Sequence, residues 1–188
     1  MGITDKEIKD KSKKFRKEYS VIDNALCNLF RVMNKNDMDE VMIKVTALNE
    51  LYTTNINGVK NLEIIAEIIY NTEGLDKMIK DGDMNAVDII GQTKEGINNA
   101  YVFASKYCSF HEPNKYLIFD ACSWLALRNI CKEYQFETQL TKNPTMNFEA
   151  YKLYCEAVHE LIKKFSITCS YKEIDEYLWM TGDEFKKN

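Results

Sequence analysis

Turn-forming residues are scarce in this chain, because only two prolines and seven glycines punctuate its 188 residues. Folds built from many short strands need frequent turns, so this scarcity favours long helices joined by short loops. Apolar residues recur at helical spacings of three and four, as in Phe15, Tyr19, Ile22, Leu26 and Leu29. No segment shows the alternation of apolar and polar residues that is typical of a half-buried strand. We therefore predict an all-α protein.

The periodicity and the cap residues predict a single domain, residues 1–188, of about eight to ten helices arranged loosely in two lobes. A chain of this length can bury a real core. Asp37 can cap the second helix and Thr72 the fourth, while Ser170 and Glu173 have the spacing of a capping box for the last. The predicted helices are 4–31, 38–52, 62–70, 75–79, 85–90, 98–110, 120–134, 148–165 and one that follows Ser170.

The overall charge argues against a surface that covers nucleic acid along its whole length. The formal net charge is −4 at pH 7, whereas binding to phosphates usually depends on an excess of Lys and Arg. Apolar residues make up 45% of the chain and charged residues 29%, which is ordinary for a globular protein. A local basic face remains compatible with this average.

The six cysteines show no CxxC spacing and no pairing with histidine at the intervals of a zinc site. We expect reduced, mostly buried thiols, no bound metal and no other cofactor. No apolar run approaches the length that spans a bilayer, and the N-terminus lacks the apolar segment of a signal peptide. We therefore expect a cytoplasmic protein without a membrane partner, and the sequence leaves its oligomeric state open.

The stretch from Val102 to Leu127 carries the clearest candidate for chemistry. It predicts a helix, a loop marked by Pro113, a short apolar segment, and then Asp120 at the start of the next helix. An aspartate in this position can be aimed into a cleft and act in catalysis. It can equally cap the helix by accepting hydrogen bonds from backbone N–H groups. The two roles are compatible, and both stay open.

A histidine, His111, ends the helix that precedes this loop. Its imidazole can change charge near neutral pH, so it is a candidate general acid or base. A histidine in the last turn of a helix is also favoured by the helix dipole alone. The sequence does not choose between these interpretations.

Three segments share their order and spacing with a known superfamily. An early helix ends in a polar turn in LNELYTTNINGVKNLEIIAEIIY, and a turn with glycines separates two helices in IIGQTKEGINNAYVFASKYC. An apolar segment then leads to Asp120 in KYLIFDACSWLAL. Between about Val45 and Leu127, the chain resembles the helix-hairpin-helix DNA glycosylases.

The resemblance implies a cleft between the turn at 52–55 and the helix start at Asp120. Side chains of the turn would wedge, stack on or hydrogen-bond a flipped base. The hairpin glycines would let backbone N–H groups hold a phosphate, and a lysine on the hairpin helix is a candidate for a further phosphate contact. The resulting set of substrate-binding candidates is Tyr52, Thr53, Thr54, Asn55, Gly91, Gly96 and Lys106.

Departures from the family pattern define the implied activity. Gly91 and Gly96 stand five residues apart, whereas the family's hairpin usually has two glycines one residue apart. Bifunctional members have a lysine at the start of the hairpin helix, where this chain has Asn99 and Ala100. The cysteines of an iron–sulfur cluster are also absent. The resemblance therefore implies a monofunctional hydrolase of N-glycosidic bonds, acting on duplex DNA in DNA repair.

A second interpretation is a non-catalytic helical module for interaction or regulation, of bacterial, phage or mobile-element origin, with a protein partner. The net charge of −4 and the wide spacing of Gly91 and Gly96 favour it. The surface beside Asp120 distinguishes the two interpretations, because a basic rim indicates nucleic acid and an acidic or apolar rim indicates a protein partner.

Overall fold

The computed structural model describes residues 2–33, 37–93 and 96–187. These residues form nine α-helices and no strand, which confirms the predicted all-α class and the predicted number of helices. In chain order, the helices α1 to α9 are Asp5–Val32, Met38–Leu51, Val59–Asn71, Leu75–Asp81, Asn85–Gly91, Ala100–His111, Ala121–Glu133, Phe148–Phe165 and Tyr171–Lys187.

Side-chain caps set two of the predicted helix starts. The Asp37 carboxylate accepts a hydrogen bond from the Glu40 N–H at 2.8 Å at the start of α2. At the start of α9, the Glu173 N–H donates to Ser170 Oγ at 3.3 Å, and the Ser170 N–H donates to the Glu173 carboxylate at 2.9 Å. This reciprocal pair is the predicted capping box.

The prediction that Thr72 caps α4 is wrong. The Thr72 hydroxyl donates to the Ile68 carbonyl at 2.7 Å, so this residue closes the end of α3 instead. The start of α4 follows Gly74, which has a left-handed backbone with φ +78°. A hydroxyl side chain can form a hydrogen bond at either end of a helix. Here the Thr72 hydroxyl bonds to the preceding helix, α3.

The chain divides into two compact units. The first unit comprises Met1–Ser20 and Leu117–Asn188, and the second comprises Val21–Tyr116. Helix α1 supplies residues to both units.

In the first unit, α7 packs against α9 and α8. A glycine in α9 permits this packing, since a Cβ added at Gly182 would lie 2.0 Å from the Cys122 carbonyl oxygen of α7. Aromatic rings fill the space between α7 and α8, where the Phe119 ring centroid lies 5.9 Å from that of Trp124 and 5.6 Å from that of Tyr154.

In the second unit, α5 packs on α6, and α2 packs on α3 and α6. Gly91 brings α5 close to α6, because an added Cβ would lie 2.5 Å from the Tyr101 ring. Phe30 of α1 packs against Tyr107 and Phe110 of α6, with ring centroids 5.3 and 5.5 Å apart.

No helix within the described ranges is long and apolar enough to cross a membrane. The described residues also contain no group of three or more His, Cys, Asp or Glu side chains that could hold a metal ion. The prediction of mostly buried thiols holds for only half of the cysteines: Cys108, Cys131 and Cys155 are buried, Cys122 and Cys169 are half-buried, and Cys27 is exposed.

Candidate functional site

Asp120 is the N-cap of α7 and follows a segment, 116–119, whose four side chains are all buried. Its Oδ1 atom accepts hydrogen bonds from the backbone N–H groups of Cys122 and Ser123, both at 2.9 Å. Its backbone is extended, with φ −144° and ψ 173°, as is usual for an N-cap. The capping role is thus observed. The catalytic role stays a prediction for a residue that is only 8% exposed.

A cation lies beside this helix start. The exposed Lys186 donates a hydrogen bond through its Nζ to Cys122 Sγ at 3.0 Å. This hydrogen bond, together with the charges of Cys122, Asp120 and Asp183, raises the pKa of Lys186. The surroundings of this helix start therefore include both a lysine, Lys186, and a further acid, Asp183.

Sequence reasoning did not identify a second carboxyl group near Asp120. Asp175 of α9 is 4% exposed, and its Oδ2 atom accepts a hydrogen bond from the Ile118 N–H at 3.1 Å. Its Oδ1 atom has no hydrogen-bond partner among the described residues. Burial, with smaller contributions from the charges of Asp120 and Glu176, raises the pKa of Asp175 well above its ordinary value of 3.8. Burial thus favours the neutral form of Asp175.

Two hydroxyl groups accompany Asp175 in the interior of the first unit. Tyr154 of α8 and Ser123 of α7 are both buried. Burial, followed by the charges of Asp175 and Asp120, raises the pKa of the Tyr154 hydroxyl, while its interaction with the Ser123 hydroxyl lowers it. Carboxyl and hydroxyl groups from three helices thus form a buried polar cluster behind the start of α7.

Glu176, the neighbour of Asp175 in the sequence, has opposite surroundings. Its carboxylate accepts hydrogen bonds from the Ser12 hydroxyl at 2.5 Å and from Arg16 Nε at 3.0 Å. The ion pair with Arg16 compensates the burial of this charge. Of the two adjacent acids, Glu176 makes the ion pair with Arg16, while the charge of Lys172 lowers the pKa of Asp175 by less than burial raises it.

In the second unit, the structure brings together two of the predicted substrate-binding residues. Lys106 donates a hydrogen bond through its Nζ to the Tyr52 carbonyl at 3.2 Å and lies 5.4 Å from the centroid of the Tyr52 ring. The Tyr52 hydroxyl donates to the Asp23 carboxylate at 2.9 Å. Lys106 is buried, so it stabilises the end of α2.

The other residues of the predicted turn divide by exposure. Thr54 is buried, and its hydroxyl donates to the Asn49 amide oxygen at 2.6 Å, which holds the turn closed. Thr53 and Asn55 are exposed, and both have positive φ angles, +44° and +58°. Within this turn, the side chains of Thr53 and Asn55 are exposed to solvent, whereas that of Thr54 is not.

The segment that was predicted to be the hairpin lies between α5 and α6, and its residues 94–95 lie outside the described residues. Gly91 is buried against Tyr101, so helix packing is sufficient to explain this glycine. Gly96 is exposed and has φ +62°, and no atom lies within 4 Å of an added Cβ. Asn99, with φ +64°, precedes the first residue of α6. The Gly96 N–H donates to the Thr93 carbonyl at 3.1 Å, so this backbone donor is already used within the turn.

His111, the last residue of α6, belongs to the second unit, whereas Asp120 belongs to the first. The His111 ring lies 4.9 Å from the ring centroids of Phe30 and Tyr107. Burial and, second, the charge of Lys44 lower the pKa of His111 to about 3. The imidazole is therefore neutral at physiological pH and does not serve as an imidazolium acid there.

Sequence reasoning also missed Lys44, which is fully buried in α2. A signal for it exists, because Lys44 lies three residues after Val41 and four before Leu48. Both of these residues belong to the buried face of the helix. A lysine at the centre of an apolar helical face indicates a buried charge.

Comparisons with known proteins give a family but no activity. Residues 5–115 match the family model HI_0787_N, which is described as an N-terminal domain. A Haemophilus influenzae protein, described as an uncharacterized protein, is 29% identical over 149 residues, which cover 78% of this chain and 68% of that protein. No solved structure matches. The matched region ends at residue 115, next to Tyr116, which is the last residue of the second unit.

Proposed function

The chain belongs to the HI_0787_N family, and we propose that it is a DNA-base-processing protein that hydrolyses N-glycosidic bonds without a lyase step. The position of Asp120 carries the proposal. This carboxyl group begins α7 directly after a buried segment, and that segment follows two helices, α5 and α6, that pack against each other. The helix-hairpin-helix glycosylases, which the chain resembles, have their catalytic aspartate in the same order of elements.

The chemistry needs one carboxylate near the sugar. Cleavage of an N-glycosidic bond develops positive charge at the sugar carbon, which a fixed carboxylate stabilises. The same carboxylate can accept a proton from the water that attacks this carbon. The bonds from Cys122 and Ser123 to Oδ1 hold the Asp120 side chain in one orientation, as such a role requires.

Exposed groups supply the proposed contacts to DNA. Thr53 and Asn55 present polar side chains that can hydrogen-bond a flipped base. Lys186 adds a positive charge beside Asp120. The proposed compartment is the cytoplasm, because cysteines without CxxC spacing fit a reducing environment.

The test is a base-excision screen with a panel of damaged duplexes, in which wild type is compared with Asp120→Asn. Asparagine caps a helix about as well as aspartate, so α7 stays intact while the charge is removed. We expect excision to fall roughly 10²-fold or more, with little change in affinity for the duplex. Asp37→Asn is the matched control, since Asp37 is also an N-cap that accepts a backbone N–H, and it should keep full activity.

Two further measurements accompany the excision screen. No adduct should be trapped by borohydride, because no lysine begins the hairpin helix. Affinity for the duplex should fall steeply with salt if phosphates are neutralised. Excision that survives in Asp120→Asn would contradict the assignment of the carboxylate.

The alternative function is a non-catalytic interaction module with a protein partner. Capping fully accounts for the Oδ1 contacts of Asp120, and the net charge of −4 disfavours DNA. If the protein neither binds duplex DNA at low salt nor excises any base in the panel, the enzyme proposal fails and this alternative replaces it.

A further inference from the structure

Lys44 is a buried charge without a hydrogen-bonding partner among the described residues. Its exposure is 0%, although it lies in the middle of α2, and its Nζ atom makes no hydrogen bond with the described residues. Burial of an ammonium group without a counter-charge costs several kcal/mol in general. A buried lysine of this kind is stabilised when a ligand supplies the missing hydrogen-bond acceptor. It is also stabilised when the ammonium group loses its proton.

A second unpartnered nitrogen lies on the same two aromatic rings. The Lys44 Nζ atom is 5.8 Å from the ring centroid of Phe30 and 5.7 Å from that of Tyr107. The His111 ring packs on both of these rings, at 4.9 Å from each. The His111 Nε2 atom is buried and has no hydrogen-bond partner among the described residues.

Nearby acids do not replace the missing partner. The charges of Asp76, Glu40 and Asp37 raise the pKa of Lys44, but burial lowers it by more. The Nζ atom donates no hydrogen bond to any of these three carboxylates. The positive charge is therefore only partly compensated, and it lies close enough to His111 to lower the pKa of the imidazole.

We propose that Lys44 and His111 form a binding site for a small oxyanion between helices α1, α2 and α6. Lys44 donates a hydrogen bond and supplies the positive charge, and His111 donates a second hydrogen bond in its Nε2–H tautomer. Phe30 and Tyr107 supply the walls. His111 is partly exposed, so the anion enters past its ring.

The depth of the site defines the class of ligand. A fully covered Lys44 excludes a phosphate that belongs to a DNA backbone, so the ligand is a free anion of a few atoms. A carboxylate and inorganic phosphate share the required chemistry, two or more oxygen acceptors with a negative charge. The site lies entirely within the second unit and is independent of the activity proposed for Asp120.

The test measures the melting temperature of the full chain in sodium acetate, sodium phosphate or sodium chloride at equal ionic strength. We expect a saturable rise with acetate or phosphate, roughly 5–10 °C at a hundredfold excess over Kd for a chain of this size. The two salts distinguish a carboxylate site from a phosphate site. No rise beyond that in chloride, with either anion, overturns the proposal.

Variants locate the effect. Lys44→Met replaces the ammonium with an apolar group of similar length and should abolish the anion-dependent rise. Lys60→Met is the matched control, because the Lys60 side chain is exposed, and it should keep the full rise. A rise that persists in Lys44→Met overturns the proposal.

A measurement on the unmodified protein makes the test independent of how Lys44→Met folds. The ring nitrogen signals of His111 should shift saturably when acetate or phosphate is added. His159, the other histidine in the chain, is exposed and donates to or accepts from Tyr171, so its signals provide an internal control. Signals of His111 that move no more than those of His159 contradict the site.

Discussion

At the scale of single residues, Asp175 and Glu176 show how surroundings divide two adjacent acids. Glu176 has Ser12 and Arg16 as partners, whereas Asp175 has one backbone N–H and an oxygen without a partner in the described residues. Arg16 compensates the charge of the buried Glu176, whereas burial raises the pKa of Asp175 and so favours its neutral form. The two acids should therefore respond in opposite ways to neutralisation.

We predict that Asp175→Asn raises the free energy of unfolding at neutral pH. The pKa of Asp175 is raised in the folded state, so the folded state binds its proton more tightly than the unfolded state does. Stability is thus fully present below pH 3.8 and is lost as the pH rises through the folded pKa. The amide cannot ionise and still accepts the Ile118 N–H, so the gain should grow with pH to on the order of 1–3 kcal/mol.

Urea unfolding from pH 4 to pH 8 measures this gain. Glu176→Gln is the matched control, and it should lower the free energy of unfolding at neutral pH because Arg16 loses its ionic partner. Equal slopes against pH in wild type and Asp175→Asn would contradict a raised pKa of Asp175.

His111 gives a second prediction about stability and pH. The pKa of His111 is lowered on folding, whereas that of Asp175 is raised. Its pKa falls from 6.5 to about 3 on folding, so the unfolded state binds the proton more tightly. Stability contributed by the neutral ring is present above pH 6.5 and is lost as the pH falls from 6.5 towards 3. His111→Phe should flatten this part of the profile in acid-unfolding experiments, whereas His159→Gln should leave it unchanged because His159 is exposed.

Local chemistry made some residues predictable and hid others. The start of α7 at Asp120 follows from an acid placed after an apolar segment, and the structure shows the cap. Neither Asp175 nor Lys44 was predicted, because each needs groups from other helices before its surroundings are known. The exposure of Thr53 and Asn55 and the burial of Thr54 likewise depend on how one turn closes.

At the scale of helices, the contact of α7 with α9 depends on a single missing side chain. A Cβ at Gly182 would lie 2.0 Å from the Cys122 carbonyl oxygen and 2.9 Å from the Cys122 Cα atom. These are backbone atoms, so neither can rotate away. Any larger residue must push the two helices apart.

We therefore predict that Gly182→Ala lowers the free energy of unfolding by about 2–4 kcal/mol, although alanine is the better helix former. Chemical denaturation followed by circular dichroism measures the loss. Gly96→Ala is the control, because Gly96 has φ +62° and open space around it, so that only backbone strain of about 1 kcal/mol is added. A smaller loss for Gly182→Ala than for Gly96→Ala would show that α7 and α9 are further apart than described.

Helix types were predictable from the sequence, while several helix ends were not. The periodic apolar residues of 148–165 predicted α8 with the bounds that the structure shows. Helix α6 begins at Ala100 and not at Asn98, because Asn99 adopts a left-handed backbone that periodicity does not encode. Thr72 closes α3 because its hydroxyl reaches the Ile68 carbonyl, a choice that the sequence left undetermined.

At the scale of the whole molecule, the region matched by the family model ends within one residue of the end of the second unit, but it begins earlier in the chain. The family model covers residues 5–115, whereas the second unit begins at Val21. Residues 5–20 make their contacts with the C-terminal segment: Lys11 pairs with Glu184, and Ser12 donates to Glu176. The start of the family region therefore depends on residues outside that region.

We predict that a fragment of residues 5–116 keeps the fold of 21–116 but leaves residues 5–20 loosely held. Without α9, the buried Phe15 loses its ring contact with Trp179 in the first unit. Amide hydrogen exchange should be roughly tenfold or more faster in 5–20 than in the same residues of the full chain. Protection of 5–20 equal to that in the full chain would contradict this dependence.

The discontinuity of the first unit has a consequence for the order of events on the ribosome. Residues 21–116 are contiguous, so they can complete their packing as soon as they emerge. Residues 1–20 emerge earlier. The hydrogen bonds from Ser12 and Arg16 to Glu176 cannot form until Glu176 has been translated. During synthesis, the start of α1 is therefore an amphipathic segment with an uncovered apolar face, to which chaperones can bind.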